Sequence, residues 1–159
     1  MTLKLYQKFL ISNFIKILIK TTAIFFTLIF IMGLLEEITF FKETDKSLFY
    51  PILFTLLNIP SVLYDIFPFI FIISTQFLFI GMTDRDELSL IKSNGISNMR
   101  IINVLIITSL FLSLFINIFF YNVSSKLKYH YLDMKNNFSS DNKYLAVISE
   151  NGLWIKDEI

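Results

Sequence analysis

A chain of 159 residues that is 55% hydrophobic and 17% aromatic, with a mean hydropathy of +0.65, is greasier than a soluble domain, which sits near about 45–50% apolar. Its formal net charge of +1, without a concentrated basic stripe, gives nucleic-acid binding no support. It has no cysteine, which excludes disulfides, cysteine-ligated zinc and thiol nucleophiles.

The first twenty residues carry Lys4, Lys8, Lys16 and Lys20 and no acid. Two readings stand for this stretch: an interfacial amphipathic lead-in, with Leu5, Phe9, Ile11 and Phe14 as its apolar surface, or an ordinary basic flank. Either one puts the N-terminus on the cytoplasmic side by the positive-inside rule. Residues 21–35 are free of charge. A bilayer core of about 30 Å needs roughly 20 apolar helical residues, so a first span is expected over residues 17–38. No small-x-small cleavage site follows it, so it reads as an uncleaved span rather than a signal peptide.

The loop "EEITFFKETDKS" has four acids against two Lys, which suits the outer side. Between residues 48 and 81 the one charge is Asp65, and Pro60 and Pro68 interrupt the apolar run. The preferred expectation is a half-helix near 49–58 at the outer interface, then a true span over 61–82. The alternative is one long helix kinked at the prolines. Asp65 has a functional reading, as a cavity-facing polar contact or proton site, and a plainer one near the outer interface.

A charged block follows, on the cytoplasmic side by alternation. Thr83 or Asp84 can cap a short helix over residues 84–93, and Glu87 stands where a capping-box Glu reaches back. Asn94-Gly95 is a stop signal, and Ser97 can cap the next helix. A third span is expected over 99–121, since residues 101–123 carry no charge. The transmembrane domain is thus 1–121. Residues 122–159 read as a juxtamembrane helix, then two strands near 144–149 and 153–157 joined at Asn151-Gly152. A lone hairpin is marginal in water, so this looks like the start of a β-domain in the N-terminal portion of a longer protein.

Three segments resemble one family. "DELSLIKSNGISNMRI" is similar to the coupling-helix segment of the lipopolysaccharide-export permeases LptF/LptG (YjgP/YjgQ), with Glu87, Leu88, Gly95, Ser97 and Arg100 fitting the pattern. "FTLLNIPSVLYDIFPFIFIIS" resembles the stretch before and within the family's second span, through Leu56, Leu57, Pro60, Phe67 and Pro68. "NGLWIKD" resembles the start of the periplasmic β-jellyroll of the LptG branch.

The resemblance implies a helical polytopic permease of an ABC transporter in the bacterial inner membrane, with the C-terminal part periplasmic. It implies that the chain extracts lipopolysaccharide and passes it to a periplasmic bridge protein. It also implies a paired LptF-like subunit and a separate LptB-like cytoplasmic ATPase dimer. No Walker motif occurs here, so hydrolysis belongs to that other chain. Coupling to the ATPase is expected of Glu87, Leu88, Ile91, Gly95 and Arg100.

One departure from the family is the outer end of span one. Family members carry basic residues there, whereas this chain has Glu36 and Glu37, with Lys42 later. Like charges repel lipid phosphates unless a cation intervenes. Glu36, Glu37, Lys42 and Asp65 are the candidate polar groups of a lipid cavity. The sole His, His130, cannot anchor a metal by itself, and neither a metal nor a cofactor is expected. The alternatives are a lipid-modifying membrane enzyme, which would need converging polar groups at one depth, and an assembly scaffold.

Overall fold

The computed structural model describes residues 4–42, 49–138, 146–149 and 152–155. Its elements, in order, are α1 (Leu5–Phe41), α2 (Phe49–Asp84), α3 (Glu87–Ser93), α4 (Asn98–Phe115), a π-helical turn (Ile116–Phe120), α5 (Tyr121–Phe138), β1 (Ala146–Ser149) and β2 (Gly152–Ile155). Among the described residues, three helices are long and apolar enough to cross a membrane: α1, α2, and the run Asn98–Phe138. The 37 residues of α1 rise about 55 Å, well beyond a hydrocarbon core of about 30 Å. The expected spans 17–38, 61–82 and 99–121 therefore each lie inside a longer helical run.

Two sequence expectations need correction here. The separate half-helix at 49–58 does not form: α2 is one helix through Pro60 and Pro68. Each proline lacks an N–H, so it deprives one carbonyl four residues earlier of its donor. The long flanking ladders hold the helix together across those gaps. The second correction is the hairpin turn. β1 pairs antiparallel with β2, matching Ala146 with Ile155, Val147 with Trp154, Ile148 with Leu153 and Ser149 with Gly152. Gly152 is thus a strand residue, and the connection is residues 150–151, which lie outside the described residues.

Contacts divide the chain into two compact units, and each long helical run contributes to both. The first comprises Met1–Thr27 and Asp65–Phe119. Its core is made of Leu10 and Phe14 on α1, Leu78 and Met82 on α2, and Ile101 and Leu105 on α4. Each helix supplies an i, i+4 pair, so one stripe of each faces inward. Because Leu10, Phe14 and Leu18 are buried, the basic lead-in is part of this bundle, continuous with α1.

The second unit comprises Leu28–Tyr64 and Phe120–Ile159. Phe41, Phe54 and Tyr131 form its core, with Tyr50 and Phe138 packed against it. Phe54 meets Phe41, Tyr131 and Phe138 at centroid distances of 5.1, 5.9 and 5.9 Å, all edge-on. That is the geometry aromatic quadrupoles favour. Gly33 lets α1 approach α2 closely: a Cβ there would sit 3.1 Å from Thr55 Cγ2.

Seven threonines in the helices bond locally, whereas the buried Ser74 hydroxyl on α2 has no hydrogen-bond partner among the described residues. Thr22, Thr27, Thr39, Thr55, Thr75, Thr83 and Thr108 each donate to the carbonyl four residues earlier. Such bonds let a hydroxyl sit in hydrocarbon without an orphaned donor.

Candidate functional site

Two features concentrate polar chemistry, one in each unit. In the first unit it is α3 with its two connections. The expected capping box is absent. Thr83 Oγ1 donates back to the Phe79 carbonyl, and the N-cap is Asp86, in the left-handed region (φ 55°) and without a side-chain cap bond. Asp tolerates that conformation better than most residues. Glu87 instead faces Arg85, with Oε1 3.5 Å from Nη1.

The far end of α3 follows the sequence expectation. Gly95 sits at φ 77°, and its N–H donates to the Lys92 carbonyl at 2.9 Å. Asn94 Nδ2 and Ser93 Oγ both donate to the Leu90 carbonyl, closing the last turn. Ser97 occupies the N-cap of α4 with extended backbone but makes no side-chain cap bond. Arg100 is exposed in the first turn of α4.

The faces of α3 are divided. Leu88 and Ile91 are half-buried and, with Ile96, pack on the unit's own core. Leu90, 62% exposed, points away from that contact. The expectation that Leu88 and Ile91 supply the outward apolar surface thus meets a different placement: they anchor the helix. Leu90 was not singled out in the sequence, where Leu88 and Ile91 were the expected coupling residues. Which of these side chains turns inward depends on where the helix starts, and the left-handed Asp86 sets that.

In the second unit the polar feature is buried. Glu37 is 2% exposed. Its Oε1 accepts from the Tyr131 hydroxyl at 2.7 Å and from Lys135 Nζ at 2.8 Å. Lys135 Nζ also donates to the Tyr131 oxygen at 2.6 Å and lies 4.8 Å from the centre of the Phe40 ring. Nearby, Lys128 Nζ donates to Asn58 Oδ1 at 2.7 Å. The second Glu37 oxygen, Oε2, is buried and has no hydrogen-bond partner among the described residues.

Of the four candidate cavity residues, then, Glu37 alone enters a built polar centre. Glu36, Lys42 and Asp65 are exposed. Lys135 and Tyr131 were not singled out in the sequence. Their i, i+4 spacing on a polar helix was the available signal. No group of His, Cys, Asp and Glu among the described residues could hold a metal ion.

Three apolar helical runs, a short amphipathic helix between two of them, and polar side chains gathered in buried or surface clusters define a helical polytopic membrane protein. The model of the family described as lipopolysaccharide export system permease LptF/LptG matches residues 8–158, and the chain belongs to that family. No curated protein and no solved structure matches the chain. The enzyme and scaffold alternatives are set aside, because this family is one of permeases in an export system.

Proposed function

We propose that the chain acts as a permease subunit that draws lipopolysaccharide from the inner membrane, driven by a separate cytoplasmic ATPase that grips α3. On this reading the N-terminus and α3 are cytoplasmic and the β-hairpin is periplasmic. The subunit pairs with a second permease and hands the lipid to a periplasmic bridge. "NGLWIKD" favours the LptG branch.

The observation that carries the coupling role is the divided surface of α3. Leu88 and Ile91 tie it to the core formed by α1, α2 and α4, while Leu90 is left outward. A force on the outer face is therefore delivered to the packed ends of three membrane helices rather than lost in a loose loop. Glu87 and Arg100 offer charge on either side, and Gly95 closes the helix sharply.

Co-purification of the ATPase with the full-length permease tests this. Leu90→Asp is expected to abolish ATPase recovery with permease abundance unchanged. Glu87→Gln is expected to weaken it. Leu88→Ala should lower permease stability as well as binding, since it loosens the anchor. Undiminished ATPase recovery with Leu90→Asp removes the coupling role from α3.

A further inference from the structure

A second polar surface of the first unit adjoins the face assigned to the ATPase and shares Glu87 with it. Lys16 and Lys20 on α1, Arg85 after α2 and Glu87 on α3 line one cleft of about 450 Å³, together with Ile24, Phe77 and Gly81. Pockets that take small ligands run from about 300 to 1,000 Å³. Three cations face one carboxylate. Arg85 pairs with Glu87, whereas Lys16 and Lys20 have no ion-pair partner among the described residues. They stand one turn apart on a single face, a like-charge arrangement that destabilises a helix unless an anion answers it.

The depth of the cleft is set by sequence. Lys20 is the last charge before the charge-free residues 21–35, and Arg85 follows closely on the charge-free residues 66–83. The cations therefore sit where both helices leave hydrocarbon, and Ile24 and Phe77 continue the wall into it. Gly81 lies beside the guanidinium: a Cβ there would be in ordinary contact, 3.8 Å from Arg85 Nη2, so only a larger side chain would intrude on the cleft.

We infer that this cleft binds the phosphate headgroup of an anionic glycerophospholipid, with one acyl chain lying along Ile24 and Phe77. Arg85 supplies a planar fork that fits phosphate oxygens, and Lys16 and Lys20 supply point charges on flexible stems. A soluble phosphate would satisfy the cations but leave the apolar wall unused. A zwitterionic lipid would satisfy the wall but carry no net charge for the lysines. Because Arg85 bridges the lipid site and Glu87, an occupied cleft holds the start of α3 in place.

Native mass spectrometry of the delipidated full chain, titrated with phosphatidylglycerol or phosphatidylcholine, tests the site. Phosphatidylglycerol is expected to be retained in preference. Lys16→Gln with Lys20→Gln should cut its retention by about fivefold for each lysine. Lys4→Gln with Lys8→Gln, which changes net charge equally outside the cleft, should leave retention as it was. Gly81→Leu, which fills the cleft and alters no charge, should reduce retention too. Equal losses in the two lysine pairs would reduce the effect to general surface charge and overturn the site. So would equal retention of both lipids, or no loss with Gly81→Leu. Displacement of the lipid by excess inorganic phosphate would reassign the site to a soluble anion.

Discussion

Glu37 and Lys135 show how a charged side chain survives inside an apolar bundle. The ammonium is held by a carboxylate oxygen, a phenol oxygen and an aromatic face at once. The carboxylate is less well served, since Oε2 lacks a hydrogen-bond partner. Incomplete satisfaction means the pair adds little net stability over an apolar replacement, while breaking it on one side leaves a buried charge. Lys135→Met alone is therefore expected to destabilise the protein by about 3–5 kcal/mol, and Glu37→Leu with Lys135→Met to recover most of that loss. Thermal unfolding in detergent, read for both single variants and the double, measures the coupling directly. A double variant as unstable as Lys135→Met would mean the two side chains act independently.

At the scale of elements, α3 owes its length to two residues in the left-handed region, Asp86 and Gly95. Gly95→Ala meets no neighbour within 4 Å, so its effect is purely conformational. The strain is about 1–2 kcal/mol, which should raise local opening over residues 90–96 by about tenfold, seen as faster amide hydrogen exchange. The long helices and the stop at Asn94-Gly95 were legible in the sequence, because long charge-free runs and an Asn-Gly pair are local signals. The start of α3 was not, because a left-handed Asp competes with an equally plausible cap at Thr83 or Asp84. Pro60 and Pro68 misled for a similar reason: breaker propensity is local, and a long apolar helix overrides it. The π-helical turn Ile116–Phe120 has no compositional mark at all. The Glu37–Lys135 pair was hidden because its partners lie 98 residues apart, beyond any periodicity.

For the molecule as a whole, the exposed apolar residues on α1, α2 and α4, among them Met32, Ile72 and Phe111, are those of a chain that uses lipid or another membrane helix as its solvent. The proposed orientation makes a direct prediction. The chain has no cysteine, so single cysteines at Lys92 and His130 can be probed with an impermeant thiol reagent. They are expected to react from opposite sides of the membrane, and reaction from one side would require a different topology. The buried pair also bears on how the chain is made. Glu37 leaves the ribosome 98 residues ahead of Lys135, and at about 5–20 residues per second that is a wait of roughly 5 to 20 s. Throughout that interval the nascent first helix carries a carboxylate whose eventual counter-charge has not been synthesised. The Glu37 end of α1 must therefore stay hydrated, or borrow another cation, until α5 emerges to close over it.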